Sequence, residues 1–453
     1  MGLKAAGGVW GRTARLRSGE PPWRRQTGGH GTALTVACMY ETPLTALVLS
    51  GGGARAAYQV GVLRAIARLR REHTGHRGRM RNPFGVIVGT SAGAINAAAL
   101  ACQADRFEAA VELLGRVWHQ FRSDQVYRAD TMASLRPEAS WRGLLSVGRA
   151  VARWRREQPR SALDNTPLAG LLQRLVPLER LPTLLAQRQL HGLAVTASRY
   201  STGEHVTFYS MARPVAPWLR QQRIAVPTAI TQQHLLASSA IPFIFPPTRV
   251  DGEGQAGWYG DGSMRQTAPL SPAIHLGAER LLIIGAGRMH GPPVEPPPDE
   301  APPTLAQVAG HAMASIFLDA LAVDIERMQR INRTLALLPD SARHDTPLRP
   351  LESLVIAPSQ RIDDIAARHF GCLPKPVRAL LRGGAGDAAA AAQGAPRGAA
   401  LASYLLFEPP FTQELMALGE ADALARQDEV VQFFRWDVTR RQNALAHPDI
   451  PLP

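Results

Sequence analysis

Two successive stretches of this chain follow the same grammar: a short apolar run, a glycine-rich turn, then a helical repeat. Residues 45–50 run into Gly51-Gly52-Gly53, after which Ala57, Val60, Leu63, Ile66, Ala67 and Leu69 share one helical face. The unit recurs as Phe84 to Val88, Gly89 to Gly93, and Ala94 to Ala104. Apolar runs without alternation belong to strands buried on both faces, and strand–helix alternation places them in a parallel sheet covered by helices. The expected class is therefore α/β, with a mostly parallel central sheet and helices on both faces. Further strands are expected at 190–197, 205–210, 255–259, 280–285 and 353–357. Helices are expected at 106–121, 229–239 (ending before Pro242), 304–337, 411–418 and 420–434. The uncharged stretch Asn82 to Ala104 has the length of a membrane span, but Gly85, Gly89, Thr90, Ser91, Gly93 and Asn96 divide it into strand, turn and helix.

The chain divides by composition. Residues 1–43 read as a disordered basic extension: the first 38 carry six Lys/Arg against one Glu and lack the apolar core of a secretory signal. Met39 stands just ahead of the first strand, and removal of 1–38 is expected to leave activity intact. Residues 44–290 form the main domain. Residues 291–303 are a linker, since seven of the twelve residues from Pro292 to Pro303 are proline. Residues 304–453 form a mainly helical region packed on that domain, with a Gly/Ala-rich flexible loop at 383–400. Three dispersed cysteines (Cys38, Cys102, Cys372) offer neither a disulfide framework nor a metal spacing. This usage fits a reducing compartment, and the expected location is the cytoplasm, with peripheral contact at the inner membrane face as an extension of that reading.

A net charge of +14 bears on partners more than on fold. Residues 64–81 hold seven Arg and one Glu, and residues 149–160 hold Arg149, Arg153, Arg155, Arg156 and Arg160. Two readings stay open: contact with anionic lipid head groups, at about 1 kcal/mol per charge near such a surface, or an ordinary solvated face. Nucleic acid is not an expected partner, because no zinc-finger, RNP or basic-zipper pattern accompanies the charge.

The sharpest chemical signal is Gly89-Thr90-Ser91-Ala92-Gly93, set between a buried strand and an Ala-rich helix. A serine there sits on a tight turn at a helix N-terminus, with small neighbours relieving the crowding. Alone, the motif is also compatible with a plain helix cap. It has company. Gly51-Gly52-Gly53-Ala54-Arg55 also joins strand to helix, and consecutive glycines let backbone N–H groups converge as an oxyanion requires. Arg55 would add positive charge beside that hole or bind a phosphate head group. A rival reading takes Gly51, Gly53 and Ala56 as a dinucleotide fingerprint with Glu72 as the ribose acid, hence an oxidoreductase. Glu72 falls in an Arg-rich helix end, however, and the serine elbow is then left unexplained. The third element is Asp261-Gly262-Ser263, after a short strand. A serine nucleophile needs a base, and a carboxylate within hydrogen-bonding reach can serve.

Together these motifs resemble the patatin-like phospholipase family. The resemblance runs from about Leu44 to Ala286 and rests on Gly-Gly-Gly-Ala-Arg-Ala-Ala-Tyr-Gln-Val-Gly-Val-Leu from Gly51, Gly-Thr-Ser-Ala-Gly-Ala-Ile-Asn-Ala from Gly89, Ala-Ser-Ser-Ala-Ile-Pro from Ala237 and Tyr-Gly-Asp-Gly-Ser from Tyr259. It implies a three-layer patatin-like fold and a lipid acyl hydrolase of phospholipase A or lysophospholipase type. It further implies Ser91 as nucleophile, Asp261 as general base, Gly51, Gly52, Gly53 and Ala54 as oxyanion hole, no metal and no cofactor. Two departures stand out: Ala56 replaces the last glycine of the loop motif, and Ser263 replaces a small apolar residue after Asp-Gly. Other readings remain. One is an ordinary α/β-hydrolase pairing Ser91 with His275, His290 or His311; another is a non-catalytic lipid-binding protein of the same fold. Residues 122–180 are expected to cover the site, with Trp118, Trp141 and Trp154 as interface anchors or, equally, as core filler. The particular ester and the oligomeric state are not encoded in these patterns.

Overall fold

The computed structural model describes residues 43–75, 82–128, 161–289, 305–382 and 398–436. The expected N-terminal extension and the proline-rich linker lie outside these residues, as do 383–397 of the Gly/Ala loop, Trp141, Trp154 and the arginines at 149–160.

Among the described residues, ten strands form one sheet: β1 (Thr45–Leu49), β2 (Val86–Thr90), β3 (Gly192–Arg199), β4 (His205–Met211), β5 (Leu219–Arg220), β6 (Arg223–Pro227), β7 (Thr248–Val250), β8 (Gly257–Asp261), β9 (Arg280–Ile284) and β10 (Glu352–Ile356). The order is β10-β9-β1-β2-β3-β4-β6-β5, with β7 and β8 attached beside β3. From β10 to β3 the neighbours run parallel, as their continuous apolar sequences require. Alternation then sorts the side chains. Leu47, Leu49, Ile87, Leu282 and Ile284 enter one core, while Ala46, Val48, Val86, Val88, Leu281 and Ile283 enter a second on the opposite face.

The first core is roofed by α1 (Ala57–Thr74), α2 (Ala92–Ala101), α3 (Phe107–His119), α4 (Thr166–Leu175) and α5 (Gln232–Ser238). The C-terminal region supplies α6 (Leu305–Ala314), a π-helical turn at Ser315–Asp319, α7 (Ala320–Leu337), α8 (Ile362–Arg368), α9 (Ala399–Leu405), α10 (Pro409–Ala425) and α11 (Gln427–Phe434). Leu321, Ile325 and Met328 of α7 close the second core, and Asp324 Oδ2 accepts from Leu270 N at 2.9 Å. The helix Gln307–Leu337 is thus docked on the sheet, although its length and apolarity would suffice to cross a bilayer.

Two departures from the sequence expectation have physical causes. The patterns at 411–418 and 420–434 predict two helices, yet Gly419, the residue between them, lies inside α10, and the break comes at Arg426. Gly419 is there for a close approach: a Cβ would stand 2.2 Å from the Tyr58 carbonyl oxygen of α1, and one on Gly61 would stand 2.0 Å from that of Met416. Helices α1 and α10 therefore cross backbone to backbone. The run at 304–337 predicts one continuous helix, and the structure widens it to a π turn at 315–319, a local feature frequent at functional sites.

Candidate active site

The site begins with β3. Its edge toward β4 is occupied from Gly192 to Ser198. Along its other edge lie two strands end to end, β2 in parallel and β8 in antiparallel sense. Thr90, the last residue of β2, is opposite Thr196, and Asp261, the last of β8, is opposite Ala197. Adjacent residues of one strand thereby bring the serine elbow and the Asp-Gly turn together from positions 170 apart.

Ser91 joins β2 to α2 with φ 55° and ψ −130°, a conformation costly for any residue with a Cβ and typical of a nucleophile elbow. The turn is tight enough that a Cβ on Gly93 would lie 2.5 Å from the carbonyl oxygens of Leu49 and Ser50. Its backbone is pinned by Ser91 N donating to Ser238 Oγ at 2.8 Å. Below it, Gln266 Nε2 donates to Thr90 Oγ1, which in turn shares a hydrogen bond with Thr196 Oγ1, both at 2.8 Å.

Asp261 is fully buried, and burial pushes its carboxyl up to about 6, against the stabilising pull of the Ser91 hydroxyl and of the Ser263 amide and hydroxyl. Oδ1 accepts from Ser263 N at 2.9 Å. Among the described residues, Oδ2 has no hydrogen-bond partner, and neither does the buried Ser263 Oγ. Both serine hydroxyls nonetheless favour the ionised carboxylate, which tempers the effect of burial. Gly262 is pressed against Thr196, whose carbonyl oxygen would be 2.3 Å from a Cβ.

The glycine-rich loop lies over this pair. A Cβ on Gly51 would stand 2.4 Å from Ser263 Oγ and 3.1 Å from Ser91 Cβ. Gln59 Nε2 holds the Ser50 carbonyl at 2.7 Å, Asn96 Nδ2 holds Gln59, and Trp118 Nε1 holds Asn96, so a buried relay ties the loop to α1, α2 and α3. Among the described residues, no hydrogen-bond partner accepts from the N–H groups of Gly51, Gly52, Gly53 or Ala54. Arg55 differs. Its N–H donates to Gly52 O at 3.1 Å, which removes it from the donor set. Its side chain is buried: Nε donates to Ser403 Oγ at 2.8 Å, NH2 meets Asp363 Oδ1 at 2.5 Å, and the guanidinium lies 4.2 Å from the Tyr404 ring centroid. The expectation that Arg55 meets a head group is therefore corrected: its charge is satisfied internally by α8 and α9.

An apolar cavity opens from Ser91. It is narrow and almost wholly apolar. Its wall includes Ile95, Trp118, Leu168, Leu171, Phe245 and Phe407. Trp118 is thus a cavity and core residue, 4% exposed, and not an interface anchor. Helix α4, from the stretch expected to cover the site, lines this wall. The described arginines of α1 each have a carboxylate within 4 Å: Arg64–Glu420, Arg68–Glu72, Arg70–Glu108 and Arg71–Glu112. That helix therefore presents balanced charge. Glu72, the ribose acid of the dinucleotide reading, is on α1 beside Arg68 rather than at a strand tip, so that reading loses its key contact.

His275 belongs to the second core, on the opposite face of the sheet. It stacks on Trp218 at 4.7 Å, and burial with Arg220, Arg223 and Arg349 holds it down at about 4. His311 is exposed on α6, and His290 lies outside the described residues. Among the described residues, no group of three His, Cys, Asp or Glu is placed to hold a metal ion. Ser238, Thr196, Gln266, Asp363, Tyr404 and Phe407 carry no signal that sequence reasoning could assign, apart from Ser238, which falls in the Ala-Ser-Ser-Ala-Ile-Pro motif.

A family model described as patatin-like phospholipase matches residues 47–274. The chain belongs to that family, which defines it at the family level as a lipid hydrolase of mixed α/β fold. Among solved structures, it is similar to VipD from Legionella pneumophila at 12% identity, over 84% of this chain and 67% of that one, with a TM-score of 0.25. It is also similar to the ExoU–SpcU complex from the type III secretion system of Pseudomonas aeruginosa, at 17% identity over 91% and 78%, with a TM-score of 0.23. At such scores neither likeness bears on the argument. No curated protein matches the chain.

Proposed function

We propose that this protein cleaves carboxylic esters of lipids through an acyl-enzyme, with Ser91 as nucleophile and Asp261 as general base. The observation that carries the reading is the shared edge of β3, with the elbow serine and a buried carboxylate side by side under a loop whose N–H groups find no acceptor among the described residues. Asp261 takes the Ser91 proton as Oγ attacks the ester carbonyl. The N–H groups of Gly51 to Ala54, with that of Ala92 at the start of α2, hold the developing oxyanion. Asp261 then returns the proton to the leaving alcohol or lysolipid. Water, activated by the same carboxylate, attacks the acyl-serine and releases the fatty acid. A carboxyl raised to about 6 is ionised at neutral pH yet far more basic than an ordinary aspartate, which suits a base acting without histidine.

The apolar cavity supports an acyl chain as the group held beside Ser91. Fatty-acid release from mixed phospholipids, compared between wild type, Ser91→Ala, Asp261→Asn and His275→Ala, tests the assignment. The first two variants are expected to lose turnover, and the third to keep it. Full activity in Asp261→Asn refutes the dyad. Labelling of wild type, but not Ser91→Ala, by a fluorophosphonate distinguishes this reading from a non-catalytic lipid-binding protein.

A further inference from the structure

The turn 241–245 puts side chains to two uses. Ile241 and Phe245 are buried and line the cavity that opens from Ser91. Phe243, between them, is turned out to solvent: it is 87% exposed, the most exposed large hydrophobic residue among the described residues. Its backbone has φ 64°, where a bulky residue is a true outlier. Nor is it a loose tip. Ile244 N and Phe245 N both donate to Ile241 O, at 3.2 and 2.8 Å, while Phe243 O and Ile244 O accept from Ala162 N and Leu163 N at 3.0 and 2.9 Å. The turn is clamped from both sides in a conformation that aims one aromatic ring into solvent. Strain held by surrounding structure at such a place points to function, since glycine would relieve the backbone and a polar residue the exposure.

We propose that Phe243 is a lipid-surface anchor, inserting its ring among acyl chains so that the mouth of the Ser91 cavity faces the layer from which substrate enters. This rests on the lipid-ester reading above and adds to it the physical state of the substrate: an aggregate or bilayer rather than dispersed molecules. A lone ring is too small to nucleate a stable protein interface, which needs several hundred Å² from each partner. It is sufficient for partial insertion: burying one phenylalanine shifts a partition equilibrium about tenfold to a hundredfold. The anchor is apolar and sits beside the cavity wall, so neutral lipid should suffice.

The test is co-sedimentation with neutral phosphatidylcholine vesicles, done in the Ser91→Ala background so that binding is read without turnover. Phe243→Ser is expected to lower the partition coefficient at least tenfold. Phe243→Trp should retain binding and show added emission that brominated lipid quenches. With Ser91 restored, Phe243→Ser should hydrolyse a short-chain ester below its micelle concentration at the wild-type rate and lose activity only on vesicles. The proposal is overturned if Phe243→Ser partitions like its parent, if the parent does not partition, or if both substrate forms lose activity together. Loss of self-association in Phe243→Ser without vesicle binding by the parent would assign the ring to a protein partner and equally overturn it. Partition that depends on Phe243, in a protein that cleaves no ester, would leave the anchor standing and remove the hydrolase reading.

Discussion

Replacing Asp261 by asparagine should make the fold more stable at pH 8 even as it abolishes turnover. The carboxyl is raised from an ordinary 3.8 to about 6 by burial, so the folded protein favours its neutral form. With the folded value above the unfolded one, the contribution of Asp261 is most favourable below pH 3.8 and is lost as pH rises through about 6. Holding the ionised group at pH 8 therefore costs the fold about 3 kcal/mol, from 1.36 kcal/mol per pH unit over the gap. Asparagine removes that cost. Its amide oxygen can still accept from Ser263 N, while desolvating the new NH₂ returns on the order of 1 kcal/mol, leaving a gain of about 2 kcal/mol. Urea denaturation of both proteins, followed by fluorescence, should show the variant's midpoint displaced upward at pH 8. The displacement should shrink as pH falls below 6, cross zero between about pH 4 and 5, and reverse at lower pH, where only the desolvation of the amide is left. A variant less stable than wild type at pH 8, or a difference independent of pH, would refute the claim that the base is held against its solvation preference.

Other consequences can be checked by kinetics. The acidic limb of kcat/KM should fall with unit slope below about pH 6, and Ser263→Ala should move that limb upward, because a hydroxyl that stabilises the carboxylate is gone; a limb that stays in place would free Ser263 of any role. Gly53→Ala should lower kcat by about a hundredfold or more, with the far-ultraviolet dichroism unchanged, since its Cβ would meet the Tyr404 carbonyl at 2.3 Å and φ is 55°; near-normal kcat would show that the loop tolerates displacement. Leu171→Trp should fill the cavity and shift preference from long to short acyl chains about tenfold, read as a ratio of kcat/KM values; an unchanged ratio would place the acyl chain elsewhere.

Strands β1, β2 and β9 were legible because burial on both faces leaves uninterrupted apolar runs, and the elbow was legible because its geometry demands small residues at fixed offsets around Ser91. Strands β5, β6 and β7 escaped notice: they are only two to five residues long and carry too little periodicity to read. Gly419 shows the limit of reading glycine as a breaker, since what it answers is the backbone of α1, more than 350 positions earlier. Arg55 shows the same limit for charge. The sequence places it beside the oxyanion loop, but only the fold reveals Asp363 and Ser403 waiting for it. Local grammar picks out the proposed reacting groups, whereas the residues that hold them still come from anywhere in the chain.

The contact between α1 and α10 bears on how this protein can be cut. The stretch carrying the family signature, 47–274, looks like a portable module, but it stops short of β9, the strand that pairs directly with β1. It also leaves out α10, whose backbone touches α1 at Gly61. A fragment trimmed to the signature would bare one flank of its own central sheet and the seam of its longest helix, two sticky surfaces on one molecule. Dissecting this enzyme by deletion would therefore yield aggregates rather than a minimal hydrolase, and its parts are better interrogated by point changes in the whole chain.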